Sequence, residues 1–123
     1  MAAPADILVV DDEPDFRVIV GAILTRAGYA VRLACDGNQG VAAFRERRPD
    51  LVLLDVNMPE LDGISACRLM RAEPGSRVPI LMFTVRSHLT TAAESMSSGA
   101  DDYILKPFEV DDLLARIARA LGR

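Results

Sequence analysis

The stretch that most constrains the fold is an apolar run at residues 51–54 that ends at a single carboxylate, Asp55. The run does not alternate between apolar and polar residues, which is typical of a strand buried on both faces. Pro59 then takes the backbone out of regular structure. Such a strand belongs inside a parallel sheet, and a carboxylate at its carboxyl end lies where open α/β sheets bind ligands.

The rest of the chain alternates between short apolar runs and segments with helical spacing. The runs predict five strands, at residues 7–10, 29–34, 51–54, 78–83 and 103–105. Apolar residues at helical spacing, with Gly and Pro as stops, predict five helices, at residues 14–28, 41–49, 64–72, 89–98 and 113–121. Because parallel strands need right-handed crossovers, we expect an α/β fold with helices on both faces of one sheet, as one domain over residues 1–123.

Composition excludes several classes of protein. A chain of 123 residues, half of them apolar, can bury a core, and its net charge of −4 argues against a general nucleic-acid surface. The N-terminus lacks the regions of a signal peptide, and no apolar run approaches membrane-spanning length. Cys35 and Cys67 have no CxxC partner, so we expect small core residues in a reducing compartment. The expectation is a soluble, cytoplasmic protein.

Polar side chains end four of the five predicted strands. The first strand ends in Asp11 and Asp12, the third in Asp55, the fourth in Thr84 and the fifth in Lys106, which is the only lysine of the chain. Each has an ordinary structural explanation when taken alone, such as helix capping or a solvated charge. Since the carboxyl ends of parallel strands share one edge of a sheet, all four explanations would have to coincide there, and a common site is the better interpretation.

The charges at this edge point to phosphoryl chemistry. Carboxylates that are packed together need raised pKa values or a cation, and oxygen ligands without His or Cys favour Mg²⁺. Mg²⁺ keeps several waters, which leaves room for phosphate oxygens. Asp55 can then attack a phosphoryl group and form an acyl phosphate, while Lys106 balances charge and Thr84 donates a hydrogen bond.

With these residues in place, the chain resembles the receiver domain of the response regulators of two-component signalling. The resemblance covers essentially the whole chain, and together its motifs are highly specific. They are residues 9–13 (VVDDE), 54–59 (LDVNMP) with Asp62-Gly63, Thr84, 99–103 (GADDY) and 106–108 (KPF). The resemblance implies a flavodoxin-like (βα)5 three-layer sandwich, with the five parallel strands in the order 2-1-3-4-5.

The resemblance also implies roles for individual residues. Asp55 is expected to be the phosphoacceptor, and the expected Mg²⁺ ligands are Asp12, Asp55, the backbone carbonyl of Asn57 and, through water, Asp11. The expected phosphodonor is a sensor histidine kinase or a phosphotransfer protein. The domain is expected to catalyse its own phosphorylation and slow dephosphorylation without being a metabolic enzyme.

A switch is implied as well. Thr84 is expected to move inward on phosphorylation, and Tyr103 is expected to follow it. This changes the face formed by the predicted helix at 89–98, the last strand and the closing helix. The Lys106-Pro107 bond is expected to be cis. Val85 departs from the family, which usually has Ala or Gly there, so it is expected to slow phosphorylation, dephosphorylation or both.

The tail of the chain is similar to receivers of winged-helix transcription regulators, which form symmetric dimers through charges on that face. Asp101, Asp102, Arg116 and Arg119 can supply such pairs, or they can be an ordinary solvated face. The predicted helix at 89–98 weakens the case for a dimer because it offers Glu94 and no basic residue.

Three other classes of function compete with this interpretation. A flavodoxin-like electron carrier needs a phosphate-binding loop after the first strand, whereas the acidic sequence there would repel a phosphate. A Mg²⁺-dependent phosphatase with an Asp nucleophile usually has a second Asp two residues later, where this chain has Asn57. The third is a receiver-like interaction scaffold that is not phosphorylated. The complete set of residues at the strand ends argues against it.

Overall fold

The computed structural model describes residues 3–85 and 96–122. Five parallel strands form one sheet in the order β2-β1-β3-β4-β5, which confirms the predicted topology. The strands are β1 (Asp6–Val10), β2 (Ala30–Ala34), β3 (Leu51–Asp55), β4 (Ile80–Val85) and β5 (Asp102–Lys106). The helices of the described residues are α1 (Pro14–Arg26), α2 (Gly37–Glu46), α3 (Gly63–Ala72) and α4 (Val110–Ala120). Residues 89–95 of the predicted helix at 89–98 lie outside the described residues.

Helices cover the sheet on both sides, which gives the three predicted layers. Successive residues of each strand point to opposite faces, so the sheet supplies two separate cores. One core joins the sheet to α1 and α4 through buried residues that include Val20, Leu24, Leu113 and Ile117. The other joins it to α2 and α3 through buried residues that include Val41, Phe44, Ile64 and Met70.

The central strand β3 is buried along its whole length, including Asp55 at its end. Leu51 and Leu53 belong to the core on the α1 side, and by alternation Asp55 continues that row. Asp55 pairs in register with Phe83 of β4, which pairs with Ile104 of β5. The strands therefore end together around Asp55.

Some predicted boundaries are wrong, for local reasons. Helix α2 begins at Gly37 rather than near Val41, because the Asp36 carboxylate accepts the backbone N–H of Gln39 and caps the helix. Strand β4 runs two residues further than predicted, since Thr84 and Val85 pair with Leu105 and Lys106.

The two cysteines differ from each other in burial. Cys67 is fully buried, as expected. Cys35 is only partly buried and is not a core residue. Its thiol donates to Oε1 of Gln39 at 2.9 Å. Within residues 3–85 and 96–122, no helix is long and apolar enough to span a bilayer.

Candidate functional site

The loop from β1 to α1 places the first two carboxylates. The Asp11 side chain is almost wholly buried, and its Oδ1 accepts the backbone N–H of Glu13 at 2.9 Å. Arg17 on the first turn of α1 donates to the main-chain carbonyl of Asp11 at 2.6 Å. Pro14 begins the helix, where its missing N–H costs nothing. The loop is therefore fixed at both ends, and Asp12 within it remains partly exposed.

Lys106 bridges two of the predicted carboxylates. Its Nζ lies 3.0 Å from Oδ2 of Asp11 and 3.3 Å from Oδ1 of Asp55. The side chain of Lys106 is only 15% exposed and that of Asp55 only 7%. Ion pairs with so little solvent around them are screened much less than surface pairs. The bond between Lys106 and Pro107 is cis, as expected.

The acidic residues are close enough to share a cation. Asp11, Asp12 and Asp55 each offer a carboxylate oxygen within 4.8 Å of the others, and in the described part of the chain they are the group that could hold a metal ion. The oxygen-only donor set fits a hard divalent ion such as Mg²⁺. Asn57 lies two residues beyond Asp55 in the loop that follows β3, and it is exposed.

The pKa of Asp55 is raised from 3.8 to about 6. Burial is the main cause and the neighbouring charge of Asp11 adds to it, whereas Lys106 acts in the opposite direction. For Lys106 itself, burial acts to lower the pKa, but the hydrogen bond to Asp11 and the charge of Asp55 outweigh it, so its pKa is raised. The site therefore keeps its ammonium charged and holds a carboxyl that ionises near pH 6.

Thr84 and Tyr103 lie on the opposite face of the sheet from Asp55. Thr84 follows Phe83, the register partner of Asp55, so its side chain points away from the face that carries Asp55. Thr84 is buried, and its hydroxyl donates only a long bond, 3.5 Å, to the carbonyl of Val85. Tyr103 pairs with Met82 and packs, partly buried, against the core that contains Met82. The structure thus places both residues on one face at the site's edge.

Three of the four residues predicted for a dimer face form ion pairs within the chain. Arg116 pairs with Asp102 at 2.8 Å and with Asp112 at 3.0 Å. Asp101 pairs with Arg71 of α3 at 2.7 Å. Arg119 is exposed, and no ion pair of the described residues includes it.

Sequence reasoning missed an aromatic cluster beneath the lysine. The ring of Phe16 meets Phe83 at 5.0 Å and Phe108 at 5.9 Å, both edge to face. The Nζ of Lys106 lies 4.0 Å from the centroid of the Phe16 ring. Helical spacing identifies Phe16 only as an apolar residue of the predicted helix at 14–28. A usable signal was present, because Phe108 directly follows Lys106-Pro107 and Phe83 directly precedes Thr84.

Comparisons with known proteins agree with this arrangement. Residues 7–118 match the family described as the response regulator receiver domain. The chain is 43% identical over 117 residues to the DNA-binding response regulator MtrA of Mycolicibacterium smegmatis, covering 95% of this chain and 50% of MtrA. It is 41% identical over 118 residues to the DNA-binding dual master transcriptional regulator RpaA of Synechocystis, covering 95% of this chain and 49% of RpaA.

Solved structures match over nearly the whole chain. The receiver domain of the sensor histidine kinase PA1611 from Pseudomonas aeruginosa, solved with a magnesium ion in its active-site cleft, has a TM-score of 0.90 and 37% identity, over 98% of this chain and 100% of that one. The chemotaxis protein CheY4 of Vibrio cholerae has a TM-score of 0.88 and 33% identity, over 96% of this chain and 99% of that one.

The chain spans about half the length of the curated relatives that it matches. Both of those relatives are bacterial regulators described as DNA-binding. The family match, the relatives and the strand order lead to one conclusion: this chain belongs to the response regulator receiver domains of two-component signalling.

Proposed function

We propose that Asp55 accepts a phosphoryl group from a phosphohistidine of a sensor histidine kinase or a phosphotransfer protein, in a Mg²⁺-dependent reaction. The observation that carries this proposal is the meeting of Asp11, Asp12, Asp55 and Lys106 at the ends of β1, β3 and β5. The domain catalyses its own phosphorylation and slow dephosphorylation, and its output is a change of surface rather than a released product.

The transfer step needs an ionised Asp55. With a pKa of about 6, most of this carboxyl is deprotonated at pH 7 and above. One carboxylate oxygen attacks phosphorus while the bond from phosphorus to the imidazole nitrogen breaks and its electron pair stays on that nitrogen. Lys106, 3.3 Å from Oδ1 of Asp55, balances the negative charge on the transferring group.

The residues proposed to hold Mg²⁺ are Asp12, Asp55 and the backbone carbonyl of Asn57, with Asp11 acting through a water. Three mutually close carboxylates with a partly exposed Asp12 fit such an ion. When bound, Mg²⁺ neutralises charge on the phosphoryl oxygens and helps to align them. Lys106 already pairs with Asp11 and Asp55, so the ammonium can stay beside Asp55 when Asp11 turns to the metal.

Phosphorylation is proposed to act on a signalling face, defined as β5, α4 and the predicted helix at 89–98. Thr84, whose side chain lies on the other face of the sheet from Asp55, moves inward so that its hydroxyl bonds the new phosphoryl group. Tyr103 then moves into the space that Thr84 leaves. A groove of about 570 Å³ lies on this face and is lined in part by Tyr103, Phe108 and Arg116. Since Tyr103 forms one wall, its movement changes the surface that a partner meets.

A second copy of the chain is a proposed partner on the signalling face. Arg119 is exposed there, and Asp101, directly before β5, pairs with Arg71 and not with Arg116. Pairing Arg119 of each copy with Asp101 of the other would give a symmetric contact. We place the reaction in the cytoplasm, treat residues 1–123 as one receiver unit, and assign no nucleic-acid or membrane contact to it.

Binding of beryllofluoride, which mimics an acyl phosphate, tests the proposal. In ¹⁹F NMR, the native chain is expected to give a bound signal that requires Mg²⁺ and is lost on EDTA addition. Asp55→Asn is expected to give none, whereas the matched control Asp62→Asn, on the cap of α3, is expected to keep it. Absence of the bound signal from the native chain would contradict the proposal and favour a scaffold that works without phosphorylation.

A further inference from the structure

Lys106 has four partners, of which two are charged and two are aromatic rings; the more distant ring is Phe83, whose centroid lies 5.8 Å from Nζ. Its Nζ lies 3.0 Å from Asp11, 3.3 Å from Asp55 and 4.0 Å from the ring centroid of Phe16. A cation over an aromatic face at this distance is attracted by the ring quadrupole, more strongly when water is scarce. The Lys106 side chain is 15% exposed, so the contact is largely shielded from solvent.

The Phe16 ring is held in place from two sides. It meets Phe83 with an interplanar angle of 86° and Phe108 with an angle of 88°. Edge-to-face contacts of this kind fix orientation as well as distance. The ring that faces Lys106 is therefore anchored by β4 and by the segment that follows β5.

The two charged partners change during the proposed reaction, whereas the ring does not. Asp11 is the closer of the two carboxylates and is also a proposed ligand, through water, of the metal. Asp55 loses its charge on one oxygen when it forms an acyl phosphate. Phe16 carries no charge that a metal or a phosphoryl group could compete for, so its attraction for the ammonium persists through both events.

We propose that Phe16 is a positioning residue that holds the Lys106 ammonium at Asp55 through a cation–π contact during phosphoryl transfer. The inference rests on the proposed phosphorylation of Asp55. Replacing the ring by an aliphatic side chain of similar size keeps the apolar contact and removes the quadrupole. Phe16→Leu is expected to lower the rate of phosphorylation by a small donor roughly three- to thirtyfold.

A series of fluorinated phenylalanines at residue 16 separates electronic from structural effects. Mono-, di- and trifluoro substitution weakens the quadrupole step by step with little change in shape. The rate of phosphorylation by acetyl phosphate at saturating Mg²⁺ is expected to fall in that order. The same series at Phe44, buried in the core on the other face of the sheet, is the control and is expected to leave the rate unchanged.

The single lysine gives a second readout that does not depend on activity. Selective ¹³C and ¹⁵N labelling of lysine labels Lys106 alone, so every labelled side-chain signal belongs to it. The ring current of Phe16 is expected to shift the ε-methylene protons of the metal-free native chain upfield, and Phe16→Leu is expected to abolish most of that shift.

The outcomes distinguish this inference from the proposed function. A graded loss of rate together with the ring-current shift supports the inference. If the native chain and all the fluorinated variants at residue 16 are phosphorylated at the same rate, the inference is overturned and the proposed function is left intact. A native chain that is not phosphorylated with Mg²⁺ would overturn both, since no reaction would then exist for Phe16 to assist.

Discussion

The raised pKa of Asp55 makes this carboxyl a cost to folding above that pKa. Below about pH 4 the group is protonated in both the folded and the unfolded chain. Between about pH 4 and pH 6 the folded chain keeps a proton that the unfolded chain has lost, so stability falls as the pH rises. Above pH 6 the full cost is present. The ionised Asp55 that the proposed reaction needs is therefore expected to lower the free energy of unfolding of the metal-free protein.

Replacing Asp55 by a neutral residue of similar shape should remove that cost. In EDTA at pH 8, Asp55→Asn is expected to be more stable than the native chain by on the order of 1–3 kcal/mol. The difference should shrink towards zero near pH 4, where the native carboxyl is protonated too. Urea unfolding at pH 4, 6 and 8 measures it, and a difference that does not change with pH would contradict the assigned cause.

Val85 directly follows Thr84 beside the site, where the resemblance to receiver domains implies Ala or Gly. It pairs in register with Lys106 and, by alternation, shares the face of Phe83 and Asp55. Its branched side chain is expected to narrow access to Asp55. Val85→Ala should shorten the lifetime of the acyl phosphate, speed its formation, or both, as measured by phosphate release and by rates with acetyl phosphate. If the native chain and Val85→Ala form and lose the acyl phosphate at the same rates, Val85 has no such effect.

At the scale of elements, the start of α3 is packed directly against the carboxyl end of β3. A Cβ added to Gly63 would lie 2.1 Å from the carbonyl oxygen of Asp55 and 2.8 Å from Cα of Val56. The backbone must therefore move if this residue has a side chain. The N–H of Gly63 also donates to the carbonyl of Val56 at 2.9 Å, which ties the helix start to the loop after β3.

Gly63→Ala is expected to destabilise the fold by roughly 1–3 kcal/mol or more and to slow phosphorylation of Asp55. Gly21→Ala on α1 is the matched control, because its nearest neighbour would be Leu33 at 3.6 Å, an ordinary contact. That change should stabilise the helix by roughly 0.5–1 kcal/mol. Thermal unfolding measures the stability of both variants. Equal changes in stability for Gly63→Ala and Gly21→Ala would contradict the close approach at Gly63.

The order of the elements could be predicted from sequence because the strands of a buried parallel sheet are short apolar runs with clear stops. Boundaries were harder where a side chain or a register decides them, as at the Asp36 cap and the end of β4. Asp11, Asp55 and Lys106 were predictable as a group since strand ends share one edge. The contact between Phe16 and Lys106 could not be predicted, because an apolar residue on a helix gives no sign of the cation that it faces.

At the scale of the whole molecule, charges decide whether the signalling face is free to pair. Asp101 accepts from Arg71 and from the backbone N–H of Ile80, both through Oδ2. These bonds tie the segment before β5 to α3 and to the start of β4. Among the described residues, no side-chain hydrogen bond or ion pair reaches the second oxygen of Asp101, Oδ1, where Arg119 of another copy could bind.

Sedimentation with and without beryllofluoride tests that pairing. The native chain is expected to shift towards a dimer when beryllofluoride and Mg²⁺ are added, and Arg119→Glu is expected to remain monomeric. Arg68→Glu, an exposed charge reversal on α3, is the control and should dimerise like the native chain. A native chain that stays monomeric with beryllofluoride bound would contradict the proposed dimer and leave the phosphorylation site unaffected.

The most direct test of the central claim is the intact mass of the chain after incubation with acetyl phosphate and Mg²⁺. The account predicts one labile phosphoryl group, absent from Asp55→Asn and absent when EDTA replaces Mg²⁺. A native chain that gains no phosphoryl group, or an Asp55→Asn variant that gains one as readily as the native chain, would contradict it.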